Sequence, residues 1–252
     1  MRRVLIFVLP VVALALASCR PVDGSGQAAA APPSASPAPP PSVAPSPSAP
    51  PPRVLRPGMR GRAVRLLQQR LAALKYYPGR VDGRFGSATL EAVWAFQETQ
   101  RMHPRNAVGP AMQRALASPR PPRVLVRHGG PLRVEVNIRD QVLVLYKRNH
   151  VALVSHVSTA GGYYYCSTNG CADATTPTGD FTTLSFVPGW VTVPLGEMYN
   201  PVFFLGTTFA IHGDTDVPLR AASHGCVRIP MDVAAFFYKL VPTPGTPVYI
   251  RG

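Results

Sequence analysis

At 252 residues the chain has room for one large or two small domains. Its 30 prolines, many of them between residues 32 and 57, exclude a single core built from the whole length. The charge is strongly basic, +14 at neutral pH with a pI near 10.4, which calls for a polyanionic partner.

Residues 1–18 carry the marks of a secretory signal. Arg2-Arg3 form a charged start, Val4 to Ala17 an apolar run, and small residues lead into Cys19. The run is shorter than the ~20 apolar residues of a spanning helix, and Pro10 interrupts it. Leu16-Ala17-Ser18-Cys19 resembles the bacterial lipobox, whose cysteine is lipidated and becomes the new N-terminus. An ordinary signal peptide with an incidental cysteine is the alternative. Residues 19–53 are mostly Pro, Ala, Ser and Gly, too poor in large apolar side chains to offset their ordering entropy. They read as an extended tether of up to ~90 Å, or as a spacer with no length requirement.

Residues 54–118 differ in character. Val64, Leu67, Leu71 and Leu74 recur at helical spacing, as do Leu90, Val93, Trp94 and Phe96. Between them Val81-Asp82-Gly83-Arg84-Phe85-Gly86 is a turn, with Ser87 or Thr89 as candidate caps for the next helix. A short helix is expected from Met112 to Leu116. LRPGMRGRAVRLLQQRLAAL, VDGRFG and TLEAVWAFQ resemble the peptidoglycan-binding domain 1 family. That resemblance implies a three-helix wall-binding module. A generic helical bundle that only orients its neighbour is the competing reading.

Pro119 to Pro122 is expected to be a hinge. After it come β-rich runs at Val124–Val126, Leu132–Ile138, Gln141–Tyr146 and Val151–Thr159. Further runs follow at Phe181–Leu184, Trp190–Val193, Phe203–His212 and Val248–Ile250. Asn137 to Asp140 and Lys147 to Asn149 read as hairpin turns. One helix is expected, from Met231 to Leu240, opened by Asp232 and closed before Pro242. Short strands with one helix predict a mostly-β sandwich or barrel over residues 123–252.

The chemistry concentrates in Ser223-His224-Gly225-Cys226-Val227-Arg228 and Ile211-His212-Gly213. A thiol, two imidazoles and a guanidinium suit covalent acyl transfer: thiolate attack, proton uptake by an imidazole, an oxyanion held by backbone N–H groups, and a cation for a carboxylate. Glycine at 225 lets the backbone approach closely. Cys166 and Cys171, five apart across an Asn-Gly, suggest a disulfide in an exported protein, since a metal site would need more ligands. His103, His128, His150 and His156 read as ordinary structural histidines.

HG followed by SHGCVR resembles the L,D-transpeptidases of YkuD type, as do Gln141 to Tyr146 and Thr176-Pro177-Thr178-Gly179-Asp180-Phe181. The resemblance covers about residues 123–251. It implies Cys226 as nucleophile, His212 as general base and acid, and the backbone amides of His224, Gly225 and Cys226 as oxyanion hole. Arg228, Tyr199, Ser223 and Gly213 are the implied substrate contacts, with Arg228 alternatively a scaffold ion pair and Tyr199 a core aromatic. The implied reaction cleaves a tetrapeptide stem, releases D-alanine and forms a 3→3 peptidoglycan cross-link, with no cofactor or metal. Water as acceptor would make the same site an L,D-carboxypeptidase; a wall protein's lysine would make it an anchoring enzyme. A non-catalytic wall-binding scaffold is the rival from another class. Expected partners are peptidoglycan and, through Cys19, the membrane; no nucleic acid is expected to meet the exported chain, and a monomer is expected.

Overall fold

The computed structural model describes residues 54–167 and 170–252. The signal at 1–18, the lipobox Cys19, the tether and the Asn169 of the small loop lie outside the described residues.

Three helices open the described chain: α1 (Arg62–Ala73), α2 (Ser87–Thr99) and α3 (Pro110–Ala117). Val64, Leu67 and Leu71 of α1 turn inward onto Val93 and Phe96 of α2 and Met112 of α3. The connection is organised by a buried amide. Gln68 Nε2 donates to Asp82 Oδ1 (3.1 Å), the Arg84 carbonyl (2.9 Å) and Thr89 Oγ1 (3.0 Å), while its Oε1 accepts from the Gly83 amide (2.8 Å). Gly83 takes φ +77°, a left-handed conformation open to glycine. The expected caps do not form. Gly86 occupies the N-cap of α2 without a side-chain bond, and Thr89 instead donates to the Pro78 carbonyl inside the module.

The rest is a β-sandwich with one helix. The first sheet contains β1 (Arg133–Asn137), β2 (Val142–Lys147), β3 (His150–His156), β6 (Gly179–Thr182) and β12 (Pro247–Arg251), in the order β3-β2-β1-β12-β6. The second contains β7 (Ser185–Phe186), β8 (Trp190–Val193), β9 (Gly196–Leu205), β10 (Phe209–Asp214) and β11 (Val227–Pro230). It runs β11-β10-β9-β7, with β8 also paired to β9. A two-stranded hairpin, β4 (Tyr164–Ser167) and β5 (Gly170–Asp173), stands apart. Val134, Val136, Leu143 and Leu145 of the first sheet meet Val202, Phe204, Ile211 and Val227 of the second. Helix α4 (Met231–Leu240) closes this core with Val233, Ala234 and Phe237.

The two-domain class expected from sequence is present, a helical module and a mostly-β domain, but three local expectations change. Val124–Val126 forms no strand; the Leu125 amide instead donates to Glu135 Oε2 at 2.6 Å. Phe203–His212 is not one strand but the end of β9, a turn at Gly206–Thr208 and the start of β10. Most consequential, Pro119 to Pro122 is no free hinge. Gln100 holds Arg120 by amide and carbonyl (2.8 and 3.0 Å). Val142, Val144, Tyr146 and Val154, on the outer face of the first sheet, join the same apolar cluster as the helices. Strand β2 is therefore buried on both faces, which explains its unbroken apolar run.

Candidate active site

Strands β10 and β11 are parallel, with Ile211 opposite Val227 and His212 opposite Arg228. Ile211 and Val227 face the core and are fully buried. Alternation then turns Ala210, His212, Cys226 and Arg228 to the other side. That side is a cleft of about 500 Å³, lined by His212, His224, Cys226 and Arg228. Its remaining walls are the β8–β9 tip from Val193 to Met198 and hairpin β4–β5 with Tyr165.

The thiol sits at the top of β11. Its Sγ accepts from the Ala210 amide and faces the Thr208 carbonyl, both at 3.5 Å. Burial pushes the Cys226 thiol above its ordinary range, against the Ala210 amide and the Arg228 charge, which lower it. His212, 4% exposed, has its Nδ1 2.9 Å from the Gly213 carbonyl. A carbonyl can only accept, so Nδ1 carries the proton and Nε2 has a free lone pair. Burial holds His212 below the ordinary histidine range. Both shifts favour the uncharged thiol and the uncharged imidazole.

Glycine at 225 answers to packing. A Cβ there would lie 2.5 Å from the Phe209 ring and 3.1 Å from the Thr175 carbonyl. The Gly225 amide donates to Ser223 Oγ (3.2 Å), and that hydroxyl donates to the Cys226 carbonyl (2.6 Å). The amides of His224 and Cys226 donate to no acceptor among the described residues. The His224 ring lies 4.6 Å from Tyr165 and 5.6 Å from Tyr163.

Of the four residues expected to touch substrate, Ser223 and Arg228 line the cleft and Gly213 and Tyr199 do not. Ser223 is 1% exposed and shapes the thiol loop through the two bonds just given. Gly213 packs on α4, where a Cβ would meet Ala234 at 2.6 Å. Tyr199 is partly buried against the sandwich core, its ring tilted 49° to that of Trp190 with centroids 5.2 Å apart. Arg228 lines the cleft and also pairs through Nε with Asp214 Oδ2 at 3.0 Å. Cys166 and Cys171 are bonded, 2.05 Å between sulfurs, directly across the β4–β5 pair. Sequence reasoning missed Asp214, Phe209 and the Thr208–Ala210 backbone, because each acts through strand register and not through a local pattern.

A family model for the L,D-transpeptidase catalytic domain matches residues 131–250, and one for a peptidoglycan binding domain matches residues 60–116. The L,D-transpeptidase of Xylanimonas cellulosilytica is 32% identical, with a TM-score of 0.74, covering 81% of this chain and 100% of that one. The L,D-transpeptidase of Stackebrandtia nassauensis is 19% identical, with a TM-score of 0.46, covering 81% and 98%. Comparison with curated proteins gave no match. By its likeness to the Xylanimonas enzyme over four-fifths of its own length and the whole of that one, this chain belongs to the L,D-transpeptidase family.

Proposed function

We propose that the protein forms 3→3 cross-links in peptidoglycan through a Cys226 acyl-enzyme. The observation that carries this reading is the β10–β11 register, which turns His212 and Cys226 into one cleft. Sγ attacks the L,D peptide carbonyl of a tetrapeptide stem as its proton passes to His212 Nε2. The amides of Cys226 and His224 receive the oxyanion, with Gly225 already engaged by Ser223. The protonated imidazole gives its proton to the departing D-alanine amine, leaving a thioester. An amine on a second stem attacks that thioester, His212 takes its proton, and the thiol is regenerated with a new peptide bond. Asp214 holds Arg228 beside the thiol as fixed positive charge.

Residues 54–118 are assigned to wall binding and residues 123–252 to catalysis, in keeping with the two family matches. The signal and lipobox sequences support export at residues 1–18 and lipid attachment at Cys19, with residues 19–53 as tether. The basic charge suits a wall rich in carboxylates and phosphates.

Mass spectrometry of the purified enzyme with a disaccharide tetrapeptide tests the reading. A protein adduct of stem mass less D-alanine, followed by a cross-linked dimer, is expected. A stem product shortened by hydrolysis alone would replace the transferase reading with a carboxypeptidase.

A further inference from the structure

His156 ends β3 on the far side of the thiol loop, 1% exposed, and both of its ring nitrogens face acceptors. Nδ1 lies 2.9 and 3.0 Å from the two carboxylate oxygens of Glu98 on α2. Nε2 lies 3.2 Å from each of the Val217 and Pro218 carbonyls. One imidazole thus joins the helical module to the segment that runs from His212 to Ser223. We propose that His156 is the positioning residue that locks the 214–222 loop to the helical module, so that one side chain sets both the docking of that module and the shape of the thiol site. The proposal rests on reading the cleft as the acyl-transfer site.

The stitching is continuous along residues 156–159. After the His156 contacts, Ser158 Oγ donates to the Arg220 carbonyl (2.8 Å) and accepts from the Ala222 amide (3.2 Å). The Thr159 carbonyl accepts from the Ala222 and Ser223 amides at 2.8 and 3.0 Å, and Ser158 and Arg228 exchange backbone bonds at 3.0 Å. The loop also supplies the partners of Arg228, Asp214 by salt bridge and Asp216 by its carbonyl. Moving Val217 and Pro218 therefore displaces the neighbouring Asp216 carbonyl that Arg228 donates to, two residues from the thiol.

Proton accounting makes the lock conditional. Carbonyls only accept, so Nε2 must keep its hydrogen, and contact between Nδ1 and Glu98 needs one further shared proton. Other charged groups near the pair are Glu91 on the same helix, Asp140 in the β1–β2 turn and, beside Glu91, Asp232 on α4. The loop contributes only carbonyls, and Trp94 covers the ring edge-on at 5.5 Å. Burial disfavours charged His156, but Glu98 and the two carbonyls outweigh it and raise the ring above its ordinary value. Burial lifts Glu98 to about 7 against the pull of His156. Both groups are raised, so the folded protein holds the shared proton more firmly than the unfolded chain. The lock is complete at low pH and opens as pH rises through the folded values.

Hydrogen exchange of the 214–223 amides in the full chain, corrected for intrinsic rates and followed across pH, tests this together with D-alanine release. Wild type should lose at least about tenfold protection between about pH 6 and pH 9. Glu98→Gln brings an amide N–H that a neutral His156 can accept at Nδ1 while Nε2 keeps its hydrogen on the two carbonyls, so the loss should disappear and protection should stay flat across that pH range. His156→Gln should exchange about tenfold faster at low pH and lose about tenfold in kcat/KM there. A loop in Glu98→Gln that follows the wild-type pH course would overturn the lock, even if His156→Gln proved unable to fold. Exchange that flattens as expected in a protein that releases no D-alanine would retire the transferase reading and leave the lock standing. Release with the wild-type pH course kept would do the reverse.

Discussion

His212 stands directly across from Arg228 in a parallel strand pair, and Cys226 precedes Arg228 by two residues on the same face. The guanidinium is anchored to Asp214, the last residue of the strand that carries His212. It supplies positive charge to thiol and imidazole alike, lowering both. Thiol, imidazole and guanidinium are thus carried by one pair of adjacent strands.

Replacing Cys226 by serine should abolish D-alanine release, with residual turnover below about a thousandth of wild type. The thiol's partners are two weak backbone contacts, so the melting temperature should move by no more than a few degrees. Turnover by single-enzyme assay and calorimetry on the same preparation separate the two effects.

The rate should rise with pH through an acid limb below the ordinary histidine value, because burial lowers His212 and its free base is the active form. The thiol itself should titrate above its ordinary value of 9.0, since burial raises it. Iodoacetamide alkylation of Cys226, followed against pH beside kcat/KM, measures both. An alkylation midpoint near neutrality would mean a preformed thiolate–imidazolium pair and overturn the neutral ground state.

Gly225→Ala should reduce activity by at least about a hundredfold with the nucleophile intact, because misplacing reacting groups by about 1 Å costs that much. The new methyl would collide with Phe209 and the Thr175 carbonyl. Shortening the ring with Phe209→Leu in the same chain should restore part of the loss. Absence of any rescue would place the cause elsewhere.

Much of this was legible beforehand, and the gaps have physical causes. The period of Val64, Leu67 and Leu71 marked α1, and the SHGC and HG motifs marked the cleft, because helical spacing and a reactive constellation are local signals. The turn at Gly206-Thr207-Thr208 was hidden inside an apolar, β-branched stretch that reads as one strand. The run Val142 to Tyr146 announced a strand apolar on both faces, but nothing in it says that α2 covers the second face. Which of Ser223, Gly213, Tyr199 and Arg228 reaches the cleft wall was not legible, because it depends on what the rest of the chain stacks around them: Ser223 and Arg228 line the cleft, whereas Gly213 packs on α4.

Gln68→Leu should destabilise the protein by about 2–4 kcal/mol, since it leaves the buried Gly83 amide without an acceptor and takes the donor from the Arg84 carbonyl and from Thr89, which keeps only its bond to Pro78. For a chain of this size that is a fall in melting temperature of roughly 5–15 °C. A change under about 0.5 kcal/mol would show that the 81–86 turn holds itself.

The isolated 123–252 fragment should be markedly less stable than the whole. Removing the helices uncovers Val142, Val144, Tyr146 and Val154, each worth about 1.5 kcal/mol or more when buried. The expected result is a melting temperature lower by at least about 10 °C, or an insoluble fragment. Equal stability with and without residues 54–118 would mean that the shared cluster contributes nothing.

Strand β12 lies in the middle of the first sheet, parallel to β1 on one side and antiparallel to β6 on the other. Its partner β1 lies more than a hundred residues earlier, so this pairing has very high contact order. A ribosome makes β1 long before β12, and until Val248 and Ile250 arrive β6 has no link to β1 within the sheet. The sandwich therefore cannot close around a partial chain. For a protein read as exported, that delay is useful: the polypeptide stays threadable through a secretion channel while its opening segment is already being drawn across.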